Sequence, residues 1–183
     1  LCLLTEVLLD TLVSKTKRYT LTPHERKVIV TAPAFHDIGK MGIDEKILNK
    51  SGQLTEEEYI VMKSHTLIGA SMLARLDHYR DEELARTAYQ ICRWHHERYD
   101  GGGYPDGLKG EEIPIAAQVV SIADAYDALI SPRVYKEGFS HEQAMQMIRN
   151  GECGAFNPLL IECLEDSQSR IRYLASMTAE RFS

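Results

Sequence analysis

Basic residues are not in excess in this sequence: 21 Lys and Arg stand against 27 Asp and Glu, giving a net charge of −6. That excludes broad binding to nucleic-acid polymers or anionic membranes, both of which need a positive surface. It still permits a small anion held by a few local cations. Cysteine is scarce: Cys2, Cys92, Cys153 and Cys163 have no CxxC spacing, so there is no disulfide framework, and four reduced thiols in a cytoplasmic protein are expected. No run of 18 apolar residues exists, so no transmembrane helix is expected. Strict apolar–polar alternation is missing too, which removes the signal for half-buried strands. No internal repeat is found. The chain begins at Leu1 without a Met, in helical register. It reads as a fragment whose upstream part, a sensor or receiver module, has been removed.

What is present is helical. The 183 residues, 44% of them hydrophobic, suffice for one core. Leu4, Val7, Leu8 and Leu12 form a buried-type stripe in a helix from Leu1 to about Tyr19. Such a stripe is usually core, though it could also support a homodimer. Thr22-Pro23-His24-Glu25, Thr55 with Glu58, and Ser140 with Gln143 are helix-start signals. The helix after Thr22 should reach His36-Asp37, bent or rearranged at Pro33. Gly39 and Gly42 then open a loop. Further helices are expected over 55–64, from His65 to Leu76, over 82–97, 113–130 and 158–164, from Ser140 through Ile148, and over 167–182. The stretch 100–107, with four glycines and a proline, is a loop: a lid or wall of a site, or an ordinary connection. The class is all-α.

His36-Asp37, at the end of an apolar run, costs free energy to bury unless something binds it. His65, adjacent His95-His96, and Asp124, set deep in the apolar helix that begins at Ile113-Pro114, are the other metal-competent residues. Imidazole suits transition metals, and a carboxylate can bridge two ions. His24, His78 and His141 sit at caps or in polar runs and are set aside. Arg133 and Lys136, three apart, can face one anion or form a solvated basic face.

Five ordered motifs carry a family resemblance over about Thr22 to Leu164. They are His36-Asp37-Ile38-Gly39-Lys40; His65; His95-His96-Glu97-Arg98-Tyr99-Asp100-Gly101-Gly102-Gly103-Tyr104-Pro105; Ile122 to Leu129; and Ser131-Pro132-Arg133-Val134-Tyr135-Lys136. The chain resembles the HD-GYP family of HD-domain metal-dependent phosphohydrolases. The resemblance implies an HD-type helical bundle over 22–165 with a Gly/Pro-rich GYP loop, preceded by helix 1–21 and followed by helix 166–183. It implies a divalent metal centre of two ions, iron or manganese. The ligands would be His36, Asp37, His65, His95, His96 and Asp124, with Asp37 bridging. His36 and Asp124 would hold one ion; His65, His95 and His96 the other. Lys40 would face substrate or metal-bound water, Tyr104 would lie beside the substrate, and Arg133 and Lys136 would contact it. The implied reaction is hydrolysis of cyclic di-GMP to pGpG and on to GMP, through a metal-bridging water or hydroxide attacking phosphorus. Some members prefer cyclic GMP-AMP. A degenerate module that binds a cyclic dinucleotide or a partner protein without turnover is the alternative; another HD phosphohydrolase substrate is a third.

Two positions depart from the family pattern. A histidine usually found on the first helix falls, by counting back from His36, on Leu4, and its companion glutamate precedes Leu1. One ligand of the His36–Asp124 ion is therefore expected to be missing and a third metal site absent. Asn157 replaces a usual Asp, and the loop from Asn150 to Ala155 is unlike the usual pattern; a local effect near the substrate cleft is expected.

Overall fold

The computed structural model describes residues 1–76, 82–131 and 138–180. Ten α-helices run in chain order: α1 Cys2–Lys15, α2 Pro23–Thr31, α3 Glu45–Leu48, α4 Glu56–Lys63, α5 His65–Ala74, α6 Glu83–Trp94, α7 Ile115–Ile130, α8 His141–Arg149, α9 Pro158–Asp166 and α10 Gln168–Glu180. No strand occurs among the described residues. The three helix-start signals close as reciprocal capping boxes at Thr22/Glu25, Thr55/Glu58 and Ser140/Gln143. Each satisfies two backbone donors at a helix start that would otherwise lack a partner.

The apolar stripe of α1 is core: Leu8, Leu9 and Leu12 are fully buried. They join Ile91 of α6, Val119, Val120 and Ile122 of α7, and Leu160 and Leu164 of α9 in one cluster. α7 is buried from Ala116 through Ala123 and again at Tyr126, and α1, α6 and α8 pack against it. Leu4 belongs to this cluster, 6% exposed.

Several elements differ from the sequence expectation. α1 stops at Lys15 because Thr16 is extended, and Tyr19 instead turns its hydroxyl onto Glu111. α2 ends at Thr31, and Pro33 sits in a 3₁₀ turn over Ala32–Phe35. Proline lacks the N–H that an α-helix needs and fits the start of a new, tighter turn. A second 3₁₀ segment, Ile38–Gly42, occupies the expected glycine loop, and short α3 was not expected. α6 ends at Trp94, leaving His95 and His96 at its C-terminal edge. Asn157 is buried and caps α9: its Oδ1 accepts from the Leu159 N–H, and its Nδ2 donates to Gln118 Oε1 at 2.9 Å and to the Tyr19 hydroxyl. These bonds are structural, and Asn157 does not line the cleft that contains Asp37 and Asp124. All four cysteines are free. Among the described residues no helix is long and apolar enough to cross a membrane.

Candidate metal centre

Four elements deliver their side chains to one point. The turn after Pro33 supplies His36 and Asp37, α5 starts with His65, α6 ends into His95 and His96, and α7 carries Asp124 mid-helix. What sets the spacing between the first two elements is a glycine contact. A Cβ on Gly39 would stand 1.8 Å from the His65 carbonyl oxygen and 2.5 Å from the Gly69 nitrogen. A Cβ on Gly69 would stand 2.3 Å from Cys92 Sγ. Only two bare backbones approach this closely, and the approach brings Asp37 Oδ1 to 3.4 Å from His65 Nε2.

Asp37 occupies the middle. Its Oδ2 lies 3.2 Å from His36 Nε2 and accepts from Lys40 Nζ at 2.6 Å. His36 Nε2 is 3.5 Å from Asp124 Oδ1. The rings of His36 and His65 both stand edge-on to His95, at 5.1 and 5.5 Å between centroids, and His95 lies 4.0 Å from His96. The ligand-capable atoms of His65, His95 and His96 all lie within 4.8 Å of one another, as do those of His36, Asp37 and His95.

Backbone carbonyls select which nitrogen is offered. His36 Nδ1 donates to the Pro33 carbonyl at 2.8 Å, His65 Nδ1 to Met62 at 2.7 Å, and His95 Nδ1 to Ile91 at 2.9 Å. A carbonyl only accepts, so Nδ1 carries the proton and a neutral ring presents its lone pair at Nε2. His65 Nε2, His95 Nε2 and Asp37 Oδ1 are buried and have no hydrogen-bond partner. Three orphaned acceptors aimed at one another are costly to bury in a metal-free protein, and a cation resolves all three. Four imidazoles and two carboxylates suit a transition metal better than magnesium or calcium. The donor set therefore fits a transition-metal centre.

The electrostatics split the group in two. Burial pulls His95 down to about 4 and drives His96 far below its ordinary range, aided by neighbouring histidines. Burial lowers His65 as well. These three are neutral, as metal ligands must be. Burial also opposes protonation of His36, but the hydrogen-bonded carboxylates of Asp124 and Asp37 override it and raise His36 to about 10. Burial alone would raise the Asp37 carboxyl; His36 and then Lys40 outweigh it and hold it well below the usual carboxylate range. A proton on His36 does the charge-neutralising work at Asp37 and Asp124 that a cation would do.

Loop 101–107 is a wall pinned at both ends. A Cβ on Gly103 would meet the Arg98 nitrogen at 2.3 Å and Glu97 Cα at 2.4 Å, so glycine lets the loop fold back on the end of α6. That places Tyr104 face to face with His96, at 4.8 Å and 24°. Lys63 Nζ lies 5.7 Å from the Tyr104 ring centre. Burial raises the phenol above its ordinary range, so Tyr104 is a neutral donor. At the far end Asp106 accepts from Arg93 and Trp94.

Glu97 escaped the sequence reading. It is 2% exposed, and its carboxylate accepts the N–H groups of Asp106 at 2.7 Å, Gly107 at 3.0 Å and Leu108 at 3.1 Å. The available signal is an acid directly before a glycine-rich loop, where free backbone donors need an acceptor. Glu97→Gln, which points a donor at those donors, is expected to cost about 1.5–3 kcal/mol in urea unfolding and to speed proteolysis within 101–107. Unchanged stability and cleavage would remove Glu97 from this role.

Of the residues expected at the site, His36, Asp37, Lys40, His65, His95, His96, Tyr104 and Asp124 lie together. Arg133 and Lys136 lie outside the described residues, as does His78. Beside the metal centre opens a cleft of about 460 Å³, bordered by Asp37, Lys40, His96, Arg98, Asp124 and Cys153.

Comparison with known proteins identifies the family. The family model described as HD domain matches residues 5–157. A cyclic di-GMP phosphodiesterase of Vibrio cholerae is 43% identical over 143 residues, 78% of this chain and 29% of that protein. The cyclic di-GMP phosphodiesterase response regulator RpfG of Xanthomonas campestris pv. campestris is 37% identical, over 84% of this chain and 40% of that one. A 3'3'-cGAMP-specific phosphodiesterase of Vibrio cholerae is 36% identical over 80% of this chain and 27% of that protein. This chain thus spans well under half the length of these relatives. Among solved structures, an HDG"Y"P protein from Bdellovibrio bacteriovorus superposes with a TM-score of 0.64 at 23% identity, covering 90% of this chain and 50% of that one.

Proposed function

The chain belongs to the HD domain family, and from that premise we propose that it is a metal-dependent phosphodiesterase that hydrolyses cyclic di-GMP to pGpG and then GMP. The observation that carries this reading is the convergence of orphaned His65 Nε2, His95 Nε2 and Asp37 Oδ1 beside a cleft wide enough for a nucleotide. The names of the relatives supply the substrate class.

Asp37, His36 and Asp124 would hold one ion, and Asp37, His65, His95 and His96 a second, with iron or manganese as the metals. Such a centre, when bound, supplies a nucleophile at neutral pH and neutralises charge on the attacked phosphate. The remaining chemistry belongs to the chain. Lys40 donates to Asp37 Oδ2; with that carboxylate engaged by a metal, the Lys40 ammonium would be free to donate to a phosphoryl oxygen. Tyr104, stacked on His96, offers a base a flat neighbour and a hydroxyl donor. Arg133 and Lys136 are assigned to substrate binding from the sequence motif.

A second reading, binding without turnover, draws on Leu4. An apolar residue packs in the core where the resemblance asks for a ligand, leaving the His36–Asp124 side short of one donor.

Anaerobically purified protein, supplied with iron(II) or manganese(II), is expected to convert cyclic di-GMP to pGpG and GMP on chromatography. Binding with no product under either metal would decide for the second reading. Faster conversion of 3'3'-cGAMP would reassign the substrate.

A further inference from the structure

Arg98 follows the paired histidines and carries no role in the reading above. It is mostly withdrawn from solvent, yet borders the cleft. Its Nε donates to the Cys153 carbonyl at 3.0 Å; its Nη1 donates to Ser121 Oγ at 2.7 Å and to the carbonyls of Glu97 and His95. The guanidinium lies 5.1 Å from the Phe156 ring centre. Gly154, at φ +95, makes room for it: a Cβ there would stand 2.5 Å from Nε. The 150–155 loop thus wraps this one side chain.

Two consequences follow. Every acceptor of Arg98 among the described residues is neutral, three carbonyls and a hydroxyl, and no carboxylate among them pairs with it directly; Asp124 acts on its charge only through space. Nη2 makes no hydrogen bond among the described residues, which leaves its two N–H donors on a guanidinium already held through Nε and Nη1. Lys40, the other described cation bordering the cleft, is matched by Asp37. A guanidinium held in place at a cleft with Nη2 donors to spare suits a phosphate oxygen, because the ordering cost has been met in advance.

Resting on the reading of this site as a cyclic dinucleotide phosphodiesterase, we propose that Arg98 is a specificity-determining residue that holds, through Nη2, the phosphate not under attack. A cyclic dinucleotide carries two phosphates, and only one can sit at the metal centre. Arg98 then favours substrates with a second phosphate over simple diesters.

The test compares cyclic di-GMP with bis(p-nitrophenyl) phosphate, which has a single phosphate, on manganese-loaded protein. In Arg98→Gln the ratio of KM for cyclic di-GMP to KM for the small diester is expected to rise about ten-fold, with kcat changing far less. Ser121→Ala, which keeps the guanidinium but removes the shortest of the hydrogen bonds at Nη1, is the second variant and should shift the ratio in the same direction by about three-fold. Metal per chain should stay at the wild-type value. A ratio that does not move in either variant, or equal losses on both substrates, overturns the proposal and leaves the function intact. If the wild type hydrolyses only the small diester, the functional reading fails instead. Calorimetry then decides for Arg98: about ten-fold weaker cyclic di-GMP binding in Arg98→Gln supports it, and an unchanged Kd rejects it.

Discussion

Asp37→Ala is expected to leave a folded protein with no bound metal and no detectable turnover of cyclic di-GMP. The carboxylate reaches groups in both halves of the site. Its Oδ1 is buried and unpartnered 3.4 Å from His65, while its Oδ2 meets His36 and Lys40. Removing it takes a ligand from each half and leaves His36 and Lys40 as adjacent cations, which repel any further positive charge. Elemental analysis after anaerobic loading should find less than one ion per chain. Two ions retained by Asp37→Ala would show that the carboxylate does not bridge.

Gly39→Ala should have the second-largest effect, on the scaffold first and the site through it. The added methyl would fall 1.8 Å from the His65 carbonyl oxygen, so the 3₁₀ segment carrying Lys40 must move away from α5. Both contact partners are backbone, and neither can rotate aside. A loss of about 2–4 kcal/mol is expected, together with weaker metal retention, because His65 and Asp37 separate. Gly52, whose added Cβ would meet nothing within 4 Å, is the matched control: Gly52→Ala should stay within about 0.5 kcal/mol of wild type. Equal behaviour of the two variants would mean that the glycine contact does not set the site.

These two variants also mark where sequence legibility ends. The metal-competent residues could be read because their side-chain types are rare in apolar helical runs: a histidine beside an acid, a histidine pair at a helix end, and Asp124 within α7. Their elements could be read from caps and from 3.6-residue spacing, with Pro33 flagging the break ahead of His36. What the break becomes, a 3₁₀ turn, depends on how Asp37 must face His65, and that is a tertiary demand. The approach of Gly39 to Gly69 spans separate elements, and no local pattern encodes it. Glu97 and Arg98 lay inside a recognised motif, yet their work is done by hydrogen bonds to backbone 9–11 and 55 residues away. Asn157 pointed toward the cleft in sequence terms, but folding used it as a cap.

Leu4 gives the central claim its most exposed point, since it leaves the His36–Asp124 half with fewer protein donors than the half built from His65, His95 and His96. Metal-free protein should therefore be titrated anaerobically with manganese while cyclic di-GMP turnover is recorded at each addition. The expected result is two ions per chain, a tight first ion with little turnover, and activity that rises with a weaker second. Two ions bound without turnover, or full activity with one, would contradict a two-ion phosphodiesterase whose His36–Asp124 half is the limiting one.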